Sequence, residues 1–216
     1  MTGSALEEAK PRLRGLLHAI MVPAALACGA VLVALARPGR ARVGCAVYAF
    51  SSLLLFAVSA AYHRGQWSPR VWLTLRRLDH ANIFLLIAGT YTPLCLIVLQ
   101  PPTSTIVLVV VWAGAFAGTV FSLAWPGAPR WLIVPLYAVL GWAAVFVLPQ
   151  LLGHGGVAVF VLVVVGGLCY TVGALAYAAR RPNPVPGWFG FHEVFHSFTV
   201  AAYLTQYVAV SLAAYR

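Results

Sequence analysis

Most of the chain consists of uncharged stretches, and each of them is about as long as one or two helical crossings of a membrane. These stretches contain no Asp, Glu, Lys or Arg and occupy residues 15–36, 43–63, 80–129, 131–179 and 194–215. The first two contain 22 and 21 residues. One crossing of the hydrocarbon core takes about 20 residues of helix. Each stretch is therefore long enough for one or two transmembrane helices.

Turn-forming residues divide the two longest stretches. Gln100 to Ser104 reads QPPTS, and Pro149-Gln150 with Gly153 to Gly156 interrupts the other stretch. We therefore predict an all-α membrane protein, a single domain over residues 1–216 with seven helices. The predicted helices occupy about 16–36, 43–63, 80–99, 105–124, 131–148, 157–179 and 192–214. Six spans with one interfacial helix is the alternative.

Composition supports a membrane protein and disfavours a nucleic-acid-binding one. Apolar residues make up 62% of the chain and charged residues 8%. The net charge of +10 comes from basic residues in the connections, where they set orientation. Ten Lys and Arg fall on the side of the amino terminus and four on the other. We expect a cytoplasmic amino terminus and an external carboxy terminus, with several passes through a bacterial inner membrane.

The four cysteines lie inside the apolar stretches without CxxC spacing. Such cysteines are typical of small buried packing residues, and they predict neither a disulfide framework nor a cysteine zinc cage. They are Cys28, Cys45, Cys95 and Cys169.

The last helix begins with a pair of histidines in the sequence WFGFHEVFH. His192 and His196 are four residues apart, so their imidazoles point to the same side of a helix, one turn apart. With Glu193 they form HExxH, the metalloprotease signature in which two histidines bind zinc and the glutamate acts as base. No His, Asp, Glu or Cys follows His196. A third ligand must therefore come from upstream.

Alternating helix directions bring further polar residues to the depth of this pair. Ser59 and His63 end the second predicted helix, and Asp79 begins the third. Both ends share the cytoplasmic edge with His192 and His196. Three imidazoles and one water form the tetrahedral open site of a catalytic zinc, although iron, cobalt or nickel fits the same ligands. Asp79 could orient or deprotonate the water, and Ser59 could hydrogen-bond a ligand or substrate.

Each of these residues also has a purely structural interpretation. His63 could be a snorkelling helix cap, Ser59 a hydroxyl bonded to its own helix, and Asp79 the N-cap of the third helix. His18, near the start of the first helix, is typical of an interfacial anchor. His154 is expected to face solvent in the fifth connection, on the outer side.

Three motifs together resemble the hemolysin III family, bacterial relatives of the progestin and adiponectin receptors. They are SAAYH at 59–63, RRLDHANIFLLIAGTYTP at 76–93 and GFHEVFH at 190–196. The resemblance implies a seven-helix fold with a cytoplasmic amino terminus and a zinc held by His63, His192 and His196. The related alkaline ceramidases pair such a site with a serine and an aspartate, here Ser59 and Asp79, and hydrolyse a lipid amide.

Several functions remain open at this point. The first is a zinc-dependent hydrolase that takes an amide or ester from membrane lipids at the inner leaflet, with Asp79 and Ser59 as catalytic residues. The second is a receptor-like or scaffold membrane protein in which the zinc is structural. The third is a membrane metalloprotease with Glu193 as its base. A transporter is disfavoured because no charged residue lies in the middle of a span.

Overall fold

The structure is a computed structural model that describes residues 11–216, and its regular elements are helices. Lys10, which belongs to the basic amino-terminal tail of the sequence prediction, lies outside this range. Over the described residues the strand-like contacts amount to one isolated bridge between Val185 and Phe189. The helices are α1 (Leu16–Leu35), α2 (Arg40–Arg64), α3 (Pro69–Ile97), α4 (Thr103–Ala124), α5 (Arg130–Gly141), a 3₁₀ helix (Trp142–Val147), α6 (Leu148–Ala179) and α7 (Phe191–Ala214).

Within residues 11–216, six helical segments are long and apolar enough to cross a membrane, which confirms the predicted all-helical membrane class. One of these segments is the whole of Arg130–Ala179, which has 50 residues. At 1.5 Å per residue it would measure about 75 Å, well over the roughly 30 Å of a hydrocarbon core. It is interrupted by the 3₁₀ helix and by non-helical backbone at Gly156, where φ is 79°.

The prediction that the third helix begins at about residue 80, with Asp79 at its amino terminus, is wrong. Helix α3 begins at Pro69, directly after Ser68. Proline favours the first position of a helix because its φ is already helical and its missing N–H would have no intrahelical partner there. The polar segment that follows continues the same helix. Asp79 therefore lies in the interior of α3 and does not cap it.

The predicted connection at residues 149–156 is also wrong in its local structure. Helix α6 begins at Leu148, with Pro149 in its first turn, and continues through His154. His154 is exposed, as expected, but it lies on a helix rather than in a loop. The predicted break is present only at Gly156, because a positive φ is accessible to glycine at little steric cost.

Close backbone approach holds neighbouring helices together. A Cβ on Gly89 of α3 would lie 2.0 Å from Ser51 Oγ of α2, and a Cβ on Gly118 of α4 would lie 2.4 Å from the Phe84 ring of α3. Small residues of this kind allow helices to pack in a membrane, where no hydrophobic effect drives them together. Helix α7 lies against α1, α2, α3 and α6. All four cysteines are free.

A short amino-terminal segment closes the same end of the bundle at which α7 begins. The N–H groups of Arg12 and Leu13 donate to the carbonyls of Gly187 and Trp188, at 3.0 and 3.2 Å. The Arg12 guanidinium lies 4.5 Å from the centre of the Trp188 ring. The segment 11–15 is thereby attached to the connection that leads into α7, and α1 starts beside the end of α2.

Candidate metal centre

Three histidines from two helices meet at this end of the bundle. His63 ends α2, and His192 and His196 occupy the first two turns of α7. One ring nitrogen from each lies within 4.8 Å of the other two, a spacing at which the three could hold a metal ion. His63 and His196 are buried, and His192 is half-buried. A helix period of 3.6 residues explains why the α7 pair shares one side of the helix.

The distances between the imidazoles suit one small ion. His192 Nε2 lies 3.2 Å from His63 Nε2. Two nitrogens bound to one tetrahedral zinc, each at 2.0–2.1 Å, lie about 3.3 to 3.4 Å apart. The ring centre of His63 lies 4.7 Å from that of His192 and 5.2 Å from that of His196, and the rings of His192 and His196 lie 4.6 Å apart. The donor set therefore fits a zinc-type cation.

Asp79 and Ser59 border the histidine cluster, although Asp79 comes from the middle of a helix. Asp79 Oδ2 lies 3.9 Å from His63 Nε2, too far for a direct hydrogen bond and compatible with a water between them. Ser59, which is buried one turn before His63 on α2, lines the same cavity as Asp79. The predicted set of five residues is thus brought together in one place.

His18 of α1 belongs to the same cluster. Its imidazole is 3% exposed and stacks on that of His196, with ring centres 3.7 Å apart. It also meets the edge of the Phe56 ring at 5.1 Å. Neither ring nitrogen of His18 has a hydrogen-bond partner among the described residues. The anchor interpretation of His18 therefore does not describe its surroundings, which are those of the bundle interior.

The Glu193 carboxylate contacts Arg14 and the Gly190 backbone, and these contacts do not suggest a protease base. Its carboxylate forms an ion pair with Arg14, and its other oxygen accepts the Gly190 N–H at 2.8 Å. The side chain of Glu193 is 1% exposed. These contacts join the segment before α1 to the first turn of α7, so the visible function of Glu193 is to hold that turn in place.

An apolar cavity of about 220 Å³ opens from the polar cluster into the bundle. His18, Ser59, Asp79 and His196 line one end of it, and Gln206 lines it deeper along α7. Gln206 follows His196 by ten positions, which correspond to about 15 Å along the helix axis. Most of the remaining lining is aliphatic or aromatic, from α3, α5, the 3₁₀ helix and α6.

Sequence reasoning favoured an interfacial anchor for His18 over a place in the cluster. The depth of His18 near the start of the first helix was visible in the sequence. Its direction was not, because the rotation of α1 about its own axis depends on packing against α2 and α7. His80, next to Asp79 in the sequence, does not join the cluster, since its Nδ1–H donates to the Arg76 carbonyl at 2.7 Å.

Fold and site together define a multi-pass helical membrane protein with a buried three-histidine cluster beside a carboxylate. The family described as Haemolysin-III related matches residues 6–207, and the chain belongs to that family. This finding confirms the resemblance that the three sequence motifs carry.

Two curated relatives agree with this assignment. The chain is 34% identical over 135 residues to Hemolysin-3 from Bacillus cereus, a match that covers 61% of this chain and 59% of that protein. It is 30% identical over 164 residues to the Hemolysin-3 homolog of Bacillus subtilis (strain 168), covering 76% of this chain and 74% of that protein. No solved structure gave a significant match.

Proposed function

We propose that this protein is a zinc-dependent hydrolase that cleaves an amide or ester bond of a membrane lipid at the cytoplasmic side of the bacterial inner membrane. The observation that carries the proposal is the continuity of the polar cluster with an apolar cavity. A lipid has a hydrolysable polar linkage attached to a long apolar chain. The cavity likewise has a polar end, formed by His196, Ser59 and Asp79, and an apolar remainder lined by aliphatic side chains.

The proposed topology has seven crossings. The 50-residue stretch from Arg130 to Ala179 would contribute two of them, separated near Gly156. Most basic residues of the connections lie toward the end of the bundle that holds the histidines, and this bias favours the cytoplasm for that end. The amino terminus would then be cytoplasmic and the carboxy terminus outside.

His63, His192 and His196 would hold the ion, each through one neutral ring nitrogen. A zinc ion bound there would activate a water molecule and polarise the carbonyl group of the substrate. Asp79 lies on the cavity side of His63 and would accept a proton from the attacking water, then return it to the leaving group. Ser59 would orient the Asp79 carboxylate or donate a hydrogen bond to the substrate carbonyl.

Substrate binding would rest on apolar contacts along the cavity wall. Leu86, Leu94 and Leu151 line this wall and are buried. Burial of an alkyl chain is worth about 0.8 kcal/mol per CH₂ group, so several methylene groups would supply most of the affinity. The linkage to be cleaved would then lie at the polar end, beside the histidines.

One observation favours a second function, a receptor-like or scaffold protein with a structural zinc. The ligand nitrogens come from α2 and α7, so an ion would cross-link two helices that are far apart in sequence. Under this alternative the ion would stabilise the bundle without turnover, and Asp79 would serve stability only.

Two variants distinguish these functions when the purified full chain is reconstituted in nanodiscs. His192→Ala should lose stoichiometric zinc. Asp79→Asn should retain zinc but lower the rate of hydrolysis of a fluorescent N-acyl or O-acyl lipid by at least about 100-fold, the usual contribution of a general acid–base group. Zinc content would be measured by atomic emission and hydrolysis by chromatography of the released fatty acid.

Other outcomes of these measurements would contradict the proposed hydrolase. Zinc retained in His192→Ala would remove the proposed ligand set. Full zinc in the wild type with no hydrolysis of either lipid class, and an Asp79→Asn variant that only melts earlier, would support the scaffold. In Glu193→Gln hydrolysis should persist, because the amide oxygen can still accept the Gly190 N–H; loss of hydrolysis at full zinc content would favour Glu193 as the base.

A further inference from the structure

A second cavity lies beside the metal centre and has the opposite chemical character. It measures about 260 Å³ and is enclosed by the α4–α5 connection at 125–129 together with residues of α3, α5 and α6. Its lining includes three arginines and one histidine, which are Arg76, Arg130, Arg180 and His80. No Asp or Glu is part of the lining. The cavity therefore concentrates positive charge.

The carboxylates of the described chain do not neutralise these arginines. Residues 11–216 contain two acidic side chains, Asp79 and Glu193. Asp79 faces His63, and Glu193 is paired with Arg14. Guanidinium groups gathered in one cavity repel one another, and an anion among them lowers this repulsion. Among the described residues, neither carboxylate supplies a counter-charge to this cavity.

Aromatic rings hold one of the arginines in place without cancelling its charge. The Arg130 guanidinium lies 4.4 Å from the centre of the Tyr177 ring and 5.2 Å from that of Phe191. It also donates to the Tyr177 carbonyl at 3.5 Å. Such contacts use few of the five N–H donors of a guanidinium, so the others stay available to a ligand. Arg130 is therefore a positioned donor rather than a mobile surface charge.

The backbone adds to the attraction for an anion. Helix α5 begins at Arg130, and both Pro129 and Arg130 line the cavity. The first N–H groups of a helix have no intrahelical acceptor, and the helix dipole makes this end positive. Planar guanidinium groups and helix amino termini both match the geometry of a phosphate.

The position of the cavity indicates where such a phosphate comes from. Trp125, in the connection that borders the cavity, is 49% exposed. An exposed tryptophan beside arginines at the end of apolar helices is typical of the headgroup region of a membrane. A phosphate at this depth is available from lipid headgroups at high local concentration.

We infer that this cavity binds the phosphate of an anionic membrane lipid, with Arg130 and Arg180 as its principal ligands. The site lies next to the metal centre, because Tyr177 contacts both Arg130 and His192, the latter at a ring distance of 5.5 Å. The inference does not depend on zinc or on hydrolysis. It assigns a lipid-binding function to a part of the protein that the proposed catalytic residues do not use.

The test compares three probes on the purified, delipidated full chain in a non-ionic detergent. They are dioleoyl phosphatidic acid, dioleoylglycerol with the same acyl chains but no phosphate, and inorganic phosphate. Phosphatidic acid should raise the thermal unfolding midpoint, and its affinity should fall with rising salt. Dioleoylglycerol should not do so, and inorganic phosphate should act only at far higher concentration.

Arginine variants locate the effect in the cavity. Arg130→Gln with Arg180→Gln should weaken binding of phosphatidic acid at least about tenfold, since charge-assisted hydrogen bonds are lost. Arg180→Gln alone, at an exposed residue, should show part of this loss with the fold intact. The matched control is Arg70→Gln, an exposed arginine of α3 that does not line the cavity, and its affinity should be unchanged.

Three results would overturn the inference. Equal effects of phosphatidic acid and dioleoylglycerol would show that acyl chains alone are recognised. Equal weakening by Arg70→Gln would show a diffuse surface attraction, and inorganic phosphate acting as strongly as the lipid would remove the lipid assignment. A fourth result would do the same: phosphatidic acid that binds a Glu7→Gln, Glu8→Gln variant but not the unaltered chain would show that the unaltered cavity takes up no lipid phosphate.

Discussion

The imidazole of His18 lies parallel to that of His196, with ring centres 3.7 Å apart and an angle of 3° between the planes. The two residues belong to the first and last helices, and their contact orients one of the three clustered histidines from behind. Aromatic stacking of this kind contributes about 0.5–1.5 kcal/mol. His18 lies outside the group of three nitrogens that could hold a metal ion, and its stacking still constrains the position of His196.

Replacing His18 should weaken metal binding in proportion to the stacking that is lost. We expect His18→Ala to lower zinc affinity about 2- to 10-fold, and His18→Phe, which keeps a flat ring, to lower it less. Competition with a chromogenic chelator on purified protein measures both affinities. Equal losses in the two variants would assign the effect to the ring nitrogens instead of the stacking.

The buried ion pair between Arg14 and Glu193 should make one single variant less stable than the double variant. Arg14→Gln leaves the Glu193 carboxylate buried without its charge partner, which costs about 3 kcal/mol or more. Adding Glu193→Gln should recover most of the lost thermal stability. Arg12→Gln is the control, because Arg12 is exposed and its guanidinium lies over the Trp188 ring. A double variant as unstable as Arg14→Gln would contradict this expectation.

Gly15 should tolerate no side chain because it lies directly against a proposed zinc ligand. Its φ is +76°, and a Cβ there would lie 2.5 Å from the Cβ of His63. Gly15→Ala should therefore displace His63 and reduce zinc affinity by about tenfold or more. Gly187→Ala is a matched control, with φ +78° and nothing within 4 Å of the added Cβ. It should lose about 1 kcal/mol of stability and no zinc affinity.

Helix packing between α2 and α3 predicts a fourth effect that is independent of the metal. Gly89→Ala places a methyl group 2.0 Å from Ser51 Oγ, and overpacking of this kind costs about 1–3 kcal/mol. Gly167→Ala in α6 meets nothing within 4 Å and should be neutral or stabilising by up to about 1 kcal/mol. Thermal unfolding in detergent measures both. A neutral Gly89→Ala would mean that the two helices separate easily.

The membrane class and the positions of most helices could be predicted from the sequence. A backbone in lipid must satisfy its hydrogen bonds internally, so long uncharged stretches have few structures open to them. The predicted start of the first helix, residue 16, agrees with the structure, and that of the last, residue 192, differs by one residue. The third helix was predicted too short because its first turns are polar, and polarity does not end a helix that leaves the hydrocarbon core.

Part of the candidate site could also be predicted from the sequence, because helix geometry relates the spacing of residues to their direction. The four-residue spacing of His192 and His196 settles that they share a face of any helix. The upstream histidine could be matched by depth alone, and His63 meets that pair within coordinating distance. The capping alternative for Asp79 failed because it depended on a helix boundary, which local sequence indicates weakly.

The order of amino acids is enough to predict that this chain spans a membrane as helices and that its last helix carries two histidines on one side. The bilayer allows few other solutions to apolar stretches of this length. The packed bundle was needed to find which way α1 turns His18, which arginine meets Glu193, and how three arginines come to line one cavity. Those outcomes depend on the rotation of each helix about its own axis, and that angle is set by packing between residues far apart in the chain.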